Sequence, residues 1–175
     1  MSIRKEKEDK FLLYKFPDNI NWEKRVLIYQ FFYENNIDGN KQLKIIFNFS
    51  TQSVNTCIIE KKILSPTESI KNTEYIDIKK IELKDLVNIP FVLKKRYIKC
   101  HHYLDYYIFS NERCKYMLEV EDNYSLDNLN QIYNIDRNVS AEREYLNENM
   151  TIKFDLYHYD NLMLLLKIFT DNYIY

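Results

Sequence analysis

The chain has 175 residues, of which 46% are hydrophobic and 29% charged, and its net charge is −1. That length suits one domain with a sizeable core. The balanced charge gives no general nucleic-acid footprint, and no apolar run reaches the roughly 18 residues a membrane helix needs. One Gly excludes phosphate loops of the Walker or Rossmann kind, whereas 16 Tyr and 10 Phe favour strands.

The first predicted strand runs from Lys5 to Tyr14. The segment Phe16 to Trp22 has turn chemistry, and Arg25 to Glu34 forms a second strand. Asp38-Gly39 is a hairpin signal that leads into Lys41 to Phe49. Thr56 to Leu64 is the fourth strand, and a loop around Ser65-Pro66-Thr67 leads to a fifth from Glu74 to Lys80. Glu82 to Asn88 reads as a short helix ending before Pro90. Val92 to Lys99, Tyr103 to Ser110 and Lys115 to Asp122 complete eight strands. Helices follow: one begins after Ser125, one covers Ala141 to Met150 with Ser140 as its cap, and a Leu-rich one covers Asn161 to Thr170. The expectation is an α+β domain over residues 1–175, with a mostly antiparallel, closed eight-stranded barrel and helices toward the C-terminus.

Two acidic pairs carry the chemistry. Residues two apart on a strand share a face, so Glu6, Glu8 and Lys10 stand together, as do Glu119 and Glu121. Inward carboxylates are costly in an apolar core but suit a hydrated barrel holding a hard cation. In isolation each pair reads better as a solvated strand face. Lys94 and Arg96 alternate with Lys95 and Tyr97, so only one of these pairs can turn inward; the Lys94/Arg96 face is favoured. Adjacent His101 and His102 point to opposite faces and cannot chelate one ion together. Cys57, Cys100 and Cys114 lack CxxC spacing and read as reduced thiols. The start Ser2-Ile3-Arg4-Lys5 is not an apolar leader, so the expected compartment is the cytoplasm.

Taken in order, these segments resemble the CYTH domain, or triphosphate tunnel metalloenzyme, superfamily. Glu6-Lys7-Glu8-Asp9-Lys10-Phe11-Leu12 resembles its ExExKFL signature, and Ile28-Tyr29-Gln30-Phe31-Phe32 its IxQxY strand. Lys94-Lys95-Arg96-Tyr97 with Leu104-Asp105, Leu118-Glu119-Val120-Glu121, and Val139 to Met150 are similar to three later motifs. There are departures too. Gln42 and Lys44 stand where the family carries R-x-R, and Glu144 replaces an Arg. Lys61 (or Lys62, out of register) fits the fourth strand, and neither Asn72-Thr73-Glu74 nor Asp77 fits the fifth convincingly.

The resemblance implies hydrolysis of a triphosphate, inorganic tripolyphosphate or a nucleoside triphosphate, with Mg²⁺ or Mn²⁺ as cofactor. It implies metal ligation by Glu6, Glu8, Glu119 and Glu121, with Lys10 and Arg96 also in the catalytic set. Phosphate oxygens would be held by Lys10, Lys44, Lys61, Lys94 and Arg96. The alternatives are a class IV-type adenylyl cyclase, an RNA 5′-triphosphatase, and a non-catalytic module that binds a polyphosphate or nucleotide. Apart from an RNA 5′ end, no nucleic acid or membrane is an expected partner.

Overall fold

Alternation of side chains along the longest strands determines the architecture. On β3 (Lys24–Asn36), Leu27, Tyr29 and Phe31 enter one apolar cluster, while Phe32 enters a different one and Gln30 meets another amide. β4 (Gly39–Asn48) repeats the pattern: Leu43, Ile45 and Phe47 join the cluster of Leu27, whereas Gln42 bonds to other amides. One face of the sheet is therefore apolar and the other largely polar. The structure, a computed structural model, describes residues 2–36, 38–65, 67–121 and 124–171, without the side chain of Asp171. Asp122, the predicted end of the eighth strand, and Pro66 in the predicted loop lie outside the described residues.

The remaining strands are β1 (Ser2–Lys7), β2 (Asp9–Leu13), β5 (Ser53–Ile63), β6 (Glu68–Ile76), β7 (Pro90–Lys99), β8 (His102–Phe109), β9 (Tyr116–Val120), β10 (Ile135–Asn138) and β11 (Ile152–Lys153). They form one antiparallel sheet of eleven strands in the order β1-β6-β5-β4-β3-β7-β8-β9-β2-β10, with β11 added to β7. This corrects the closed eight-stranded barrel and the α+β class: the protein is mostly β, and among the described residues no ladder joins the ends of its sheet. The physical reason lies at Glu8. The predicted first strand breaks there, so β1 pairs with β6 while β2 pairs with β9. Even so, the sheet rolls far enough for its two ends to meet through side chains. Lys61 of β5 reaches Glu8, and Arg4 of β1 reaches Glu121 just beyond β9.

The convex face carries the main core. Helix α2 (Leu156–Asp171) places Leu162, Leu166 and Phe169 on Tyr29, Ile45 and Phe47, and Phe169 meets Phe47 edge-on with ring centroids 5.1 Å apart. Helix α1 (Leu126–Tyr133) lays Leu129 and Tyr133 on Phe11, Leu104 and Leu118. Among the described residues no helix is long and apolar enough to cross a membrane.

Three local expectations need correction. The fifth predicted strand begins earlier, at Glu68, and Ile78–Lys80 is a 3₁₀ turn whose entry is capped by the Asp77 side chain, an acceptor from the Lys79 N–H at 2.9 Å. Likewise, the predicted helix at Glu82 to Asn88 is only a 3₁₀ turn at Leu83–Leu86. The predicted helix at Ala141 to Met150 is an irregular strap holding two short 3₁₀ turns. Its Ser140 caps nothing. The Ser140 hydroxyl accepts from the Lys10 N–H at 2.8 Å and donates to Asp9 at 3.2 Å, and this ties the strap to β2.

The strap closes one end of the concave face. Val139 and Met150 pack there against Leu12, Phe32, Val92, Tyr107 and Met117. The charged residues on the same strands lie beyond this apolar plug.

Candidate functional site

Strand parity places a dense set of charges on the concave face. Glu6, Glu8 and Lys10 keep a common face across the break at Glu8, where the Glu8 N–H bonds to the Thr67 carbonyl at 2.9 Å. A carboxylate oxygen from each of Glu6, Glu8 and Glu121 can lie within 4.8 Å of the others. Glu119, expected beside them as a ligand, is engaged elsewhere. Arg96 holds it at 2.5 Å and Lys10 at 3.5 Å.

Asp105 anchors the opposite wall. It is fully buried and accepts from Lys94 Nζ at 2.5 Å and from Arg96 Nε and Nη2 at 2.6 and 2.7 Å. The bidentate fork fixes the Arg96 plane. Lys94 and Arg96 are thus the inward pair, while Lys95 lies over the ring of Tyr97 on the other face at 5.3 Å. Lys10 lies 3.5 Å from Glu8 and Lys61 lies 3.6 Å from it. Lys71 pairs with Glu6 and stands 3.9 Å from Glu8. Lys44 makes no ion pair with any described residue.

The electrostatics divide the charges into two groups. Burial pushes Glu119 up, but Arg96, Lys10 and Lys94 outweigh it and hold the carboxyl well below its ordinary range. Glu8 behaves similarly: burial opposes ionisation, yet Lys10, Lys71 and Lys61 bring its pKa to about 2. Both remain carboxylates at neutral pH. Glu121 moves the other way, raised first by burial and then by the charge of Glu6, against the pull of Arg4. Burial lowers Lys61 and Lys94 despite Glu8 and Asp105 respectively. Lys44 retains some contact with solvent, but burial and then the charges of Lys71, Lys94 and Arg96 bring its pKa to about 7.

Chemically, the Glu6–Glu8–Glu121 trio is an all-oxygen donor set, which fits a hard dication better than a thiophilic metal. The raised Glu121 fits that too: burial first and the charge of Glu6 second disfavour its carboxylate form, which a nearby cation favours. Beside the trio lies a cavity of about 380 Å³, lined by Glu8, Lys61, Ile63, Ser69, Arg143 and Leu146 among others. Glu8 and Lys61, themselves 3.6 Å apart, bring both signs of charge to this lining.

Of the expected site residues, Glu6, Glu8, Lys10, Lys61, Lys94, Arg96, Glu119 and Glu121 are joined in one network of ion pairs and shared neighbours, and Lys44 lies near it as an uncompensated cation. Lys71 was missed, because the fifth strand was placed too late; the alternation Ser69, Lys71, Thr73 was the available signal. A helix over Ala141 to Met150, the expectation from sequence, gives Asn147 and Glu148 no place in the site. Asn147 Oδ1 accepts from the Tyr107 hydroxyl at 2.6 Å and from Lys94 Nζ at 3.2 Å, and the buried Glu148 raises Lys10.

No protein-family model matches this chain, and no curated protein does. A solved structure of the PH1819 protein from Pyrococcus horikoshii OT3 superposes with a TM-score of 0.49 at 16% identity. The superposition covers 93% of this chain and 98% of that one. At that distance neither fold nor activity carries over.

Proposed function

We propose that this chain is a diverged triphosphate tunnel enzyme that hydrolyses a triphosphate with the help of Mg²⁺ or Mn²⁺. The observation that carries this reading is the convergence of Glu6, Glu8 and Glu121 within 4.8 Å, with Lys61 and Lys71 beside them as ion-pair partners of Glu8 and Glu6. Glu6, Glu8 and Glu121 hold the divalent ion, and Lys44, Lys61 and Lys71 hold phosphate oxygens. A bound dication supplies Lewis-acid neutralisation of the phosphoryl group. Phosphoryl transfer is mainly positioning and charge stabilisation, so a fixed ring of charges is the machinery it needs. Lys10 keeps Glu8 and Glu119 ionised and oriented, and Asp105 holds Lys94 and Arg96 rigid at the base of the site. The free thiols of Cys57, Cys100 and Cys114 agree with a cytoplasmic protein.

A second reading, a binding module without turnover, is favoured by one observation. Arg96 is held by both Asp105 and Glu119, so its guanidinium fork is already committed within the chain and not open for a bidentate grip on phosphate. Phosphate release from tripolyphosphate, ATP and GTP under Mg²⁺ and Mn²⁺ separates the two. The enzyme reading expects metal-dependent release that falls at least a hundredfold in Glu8→Gln and Glu121→Gln, the loss typical of a removed charge-stabilising group. Metal-dependent binding with no release or cyclisation of any of the three would leave the module. Release that persists unchanged in both variants would refute the site.

A further inference from the structure

Three side-chain amides form a chain on the concave face. Gln42 Nε2 donates to Asn40 Oδ1 at 2.8 Å, and Gln30 Nε2 donates to Gln42 Oε1. All three are buried: Gln30 is 2% exposed, Gln42 3% and Asn40 6%. Such a chain has a direction, because each link uses one N–H and one C=O, and its two ends are left with opposite character. Among the described residues, Asn40 Nδ2 at one end and Gln30 Oε1 at the other have no hydrogen-bond partner.

The sheet register says what surrounds the ends. Gln30 stands opposite Lys44 on β4, and Asn40 stands opposite Lys61 on β5. The bonds run so that the carbonyl end lies at Gln30 and the N–H end at Asn40. Asn40 and Lys61 share the lining of a cavity of about 330 Å³, and Lys61 also lines the cavity that holds Glu8. Buried amides are satisfied in nearly all native folds, so a donor with no partner among the described residues, beside a lysine at a cavity, calls for a further acceptor. An anionic oxygen meets both the donor and the lysine.

We propose that Asn40 is a ligand-binding residue whose Nδ2 donates to a phosphoryl oxygen beside Lys61, with Gln42 and Gln30 as positioning residues that hold its amide in that orientation. The proposal rests on the polyphosphate reading above and adds a neutral contact to it. A neutral donor grips the phosphate without adding charge to a crowded cationic wall. Its share of affinity is therefore insensitive to salt, unlike that of a lysine.

Calorimetric titration of the full chain with tripolyphosphate and Mg²⁺, over a series of salt concentrations, tests this. Asn40→Ala weakens binding about tenfold and leaves the slope of log Kd against log salt unchanged. Lys61→Met, by contrast, lowers that slope. Gln42→Leu, which breaks the chain while touching no phosphate, gives the same loss as Asn40→Ala. Melting temperatures near that of the wild type establish that the variants fold, and the isosteric Asn40→Asp, which replaces the donor with a carboxylate, loses more affinity than Asn40→Ala. Wild-type affinity in Asn40→Ala, or a slope that falls as far as in Lys61→Met, overturns the proposal and leaves the polyphosphate reading standing. Absence of tripolyphosphate binding by the wild type overturns both.

Discussion

Lys44 makes no ion pair with any described residue, and burial together with the charges of Lys71, Lys94 and Arg96 brings its pKa to about 7. A bound phosphate chain favours the ammonium form, so binding above pH 7 is coupled to proton uptake. Affinity for tripolyphosphate should therefore fall as pH rises from 6 to 9, and Lys44→Met should lose that part of the dependence. An identical pH profile in the variant would count against Lys44 as a phosphate contact. Glu8 has the opposite sign. Its folded pKa of about 2 lies below the ordinary value of 4.5, so its contribution to stability is complete above about pH 4.5 and lost as pH falls toward 2. Acid unfolding of Glu8→Gln, followed by circular dichroism, should show a shallower loss across that window than the wild type. Asp105 tests the opposite wall. Asp105→Ala strands Lys94 and Arg96 in a buried setting and should cost about 3–5 kcal/mol in denaturant unfolding.

At the level of elements, the β3–β4 hairpin illustrates what one glycine does. Asp38-Gly39 was legible as a turn, but the need for Gly39 comes from packing rather than from a left-handed backbone. A Cβ there would stand 2.0 Å from the Lys61 carbonyl oxygen on β5. Gly39→Ala should push β5 away, cost about 1–3 kcal/mol, and weaken triphosphate binding by displacing Lys61. Unchanged stability by thermal melting would contradict that close approach. Period-two alternation made the acidic pairs and the Lys94/Arg96 face readable, since parity survives small errors in strand ends. It failed where local signals were ambiguous. Glu74 to Lys80 is about as rich in strand formers as the true β6, so Lys71 falls outside the expected strand. Ser140 and the polar run after it imitate a capped helix. Long-range bonds from Lys10, Lys94 and Tyr107 hold that strap instead, and none of them is visible in the sequence.

Across the whole molecule, the sheet works as two surfaces with separate tasks. The convex face supplies stability through α1 and α2, and the concave face gives up apolar burial for charge, apart from the plug beneath the strap. The break at Glu8 separates the expected closed barrel from the rolled sheet observed. It also lets Glu6 of β1 and Glu8 at the break itself approach lysines from β5 and β6. The central claim is that Glu6, Glu8 and Glu121 hold a divalent ion that a triphosphate bridges to Lys44, Lys61 and Lys71. Its most direct test is the calorimetric affinity for tripolyphosphate with and without Mn²⁺, in the wild type and in a Glu8→Gln/Glu121→Gln double variant. We expect binding that Mn²⁺ strengthens at least tenfold in the wild type and leaves unchanged in the variant; equal affinity in all four measurements would contradict the account.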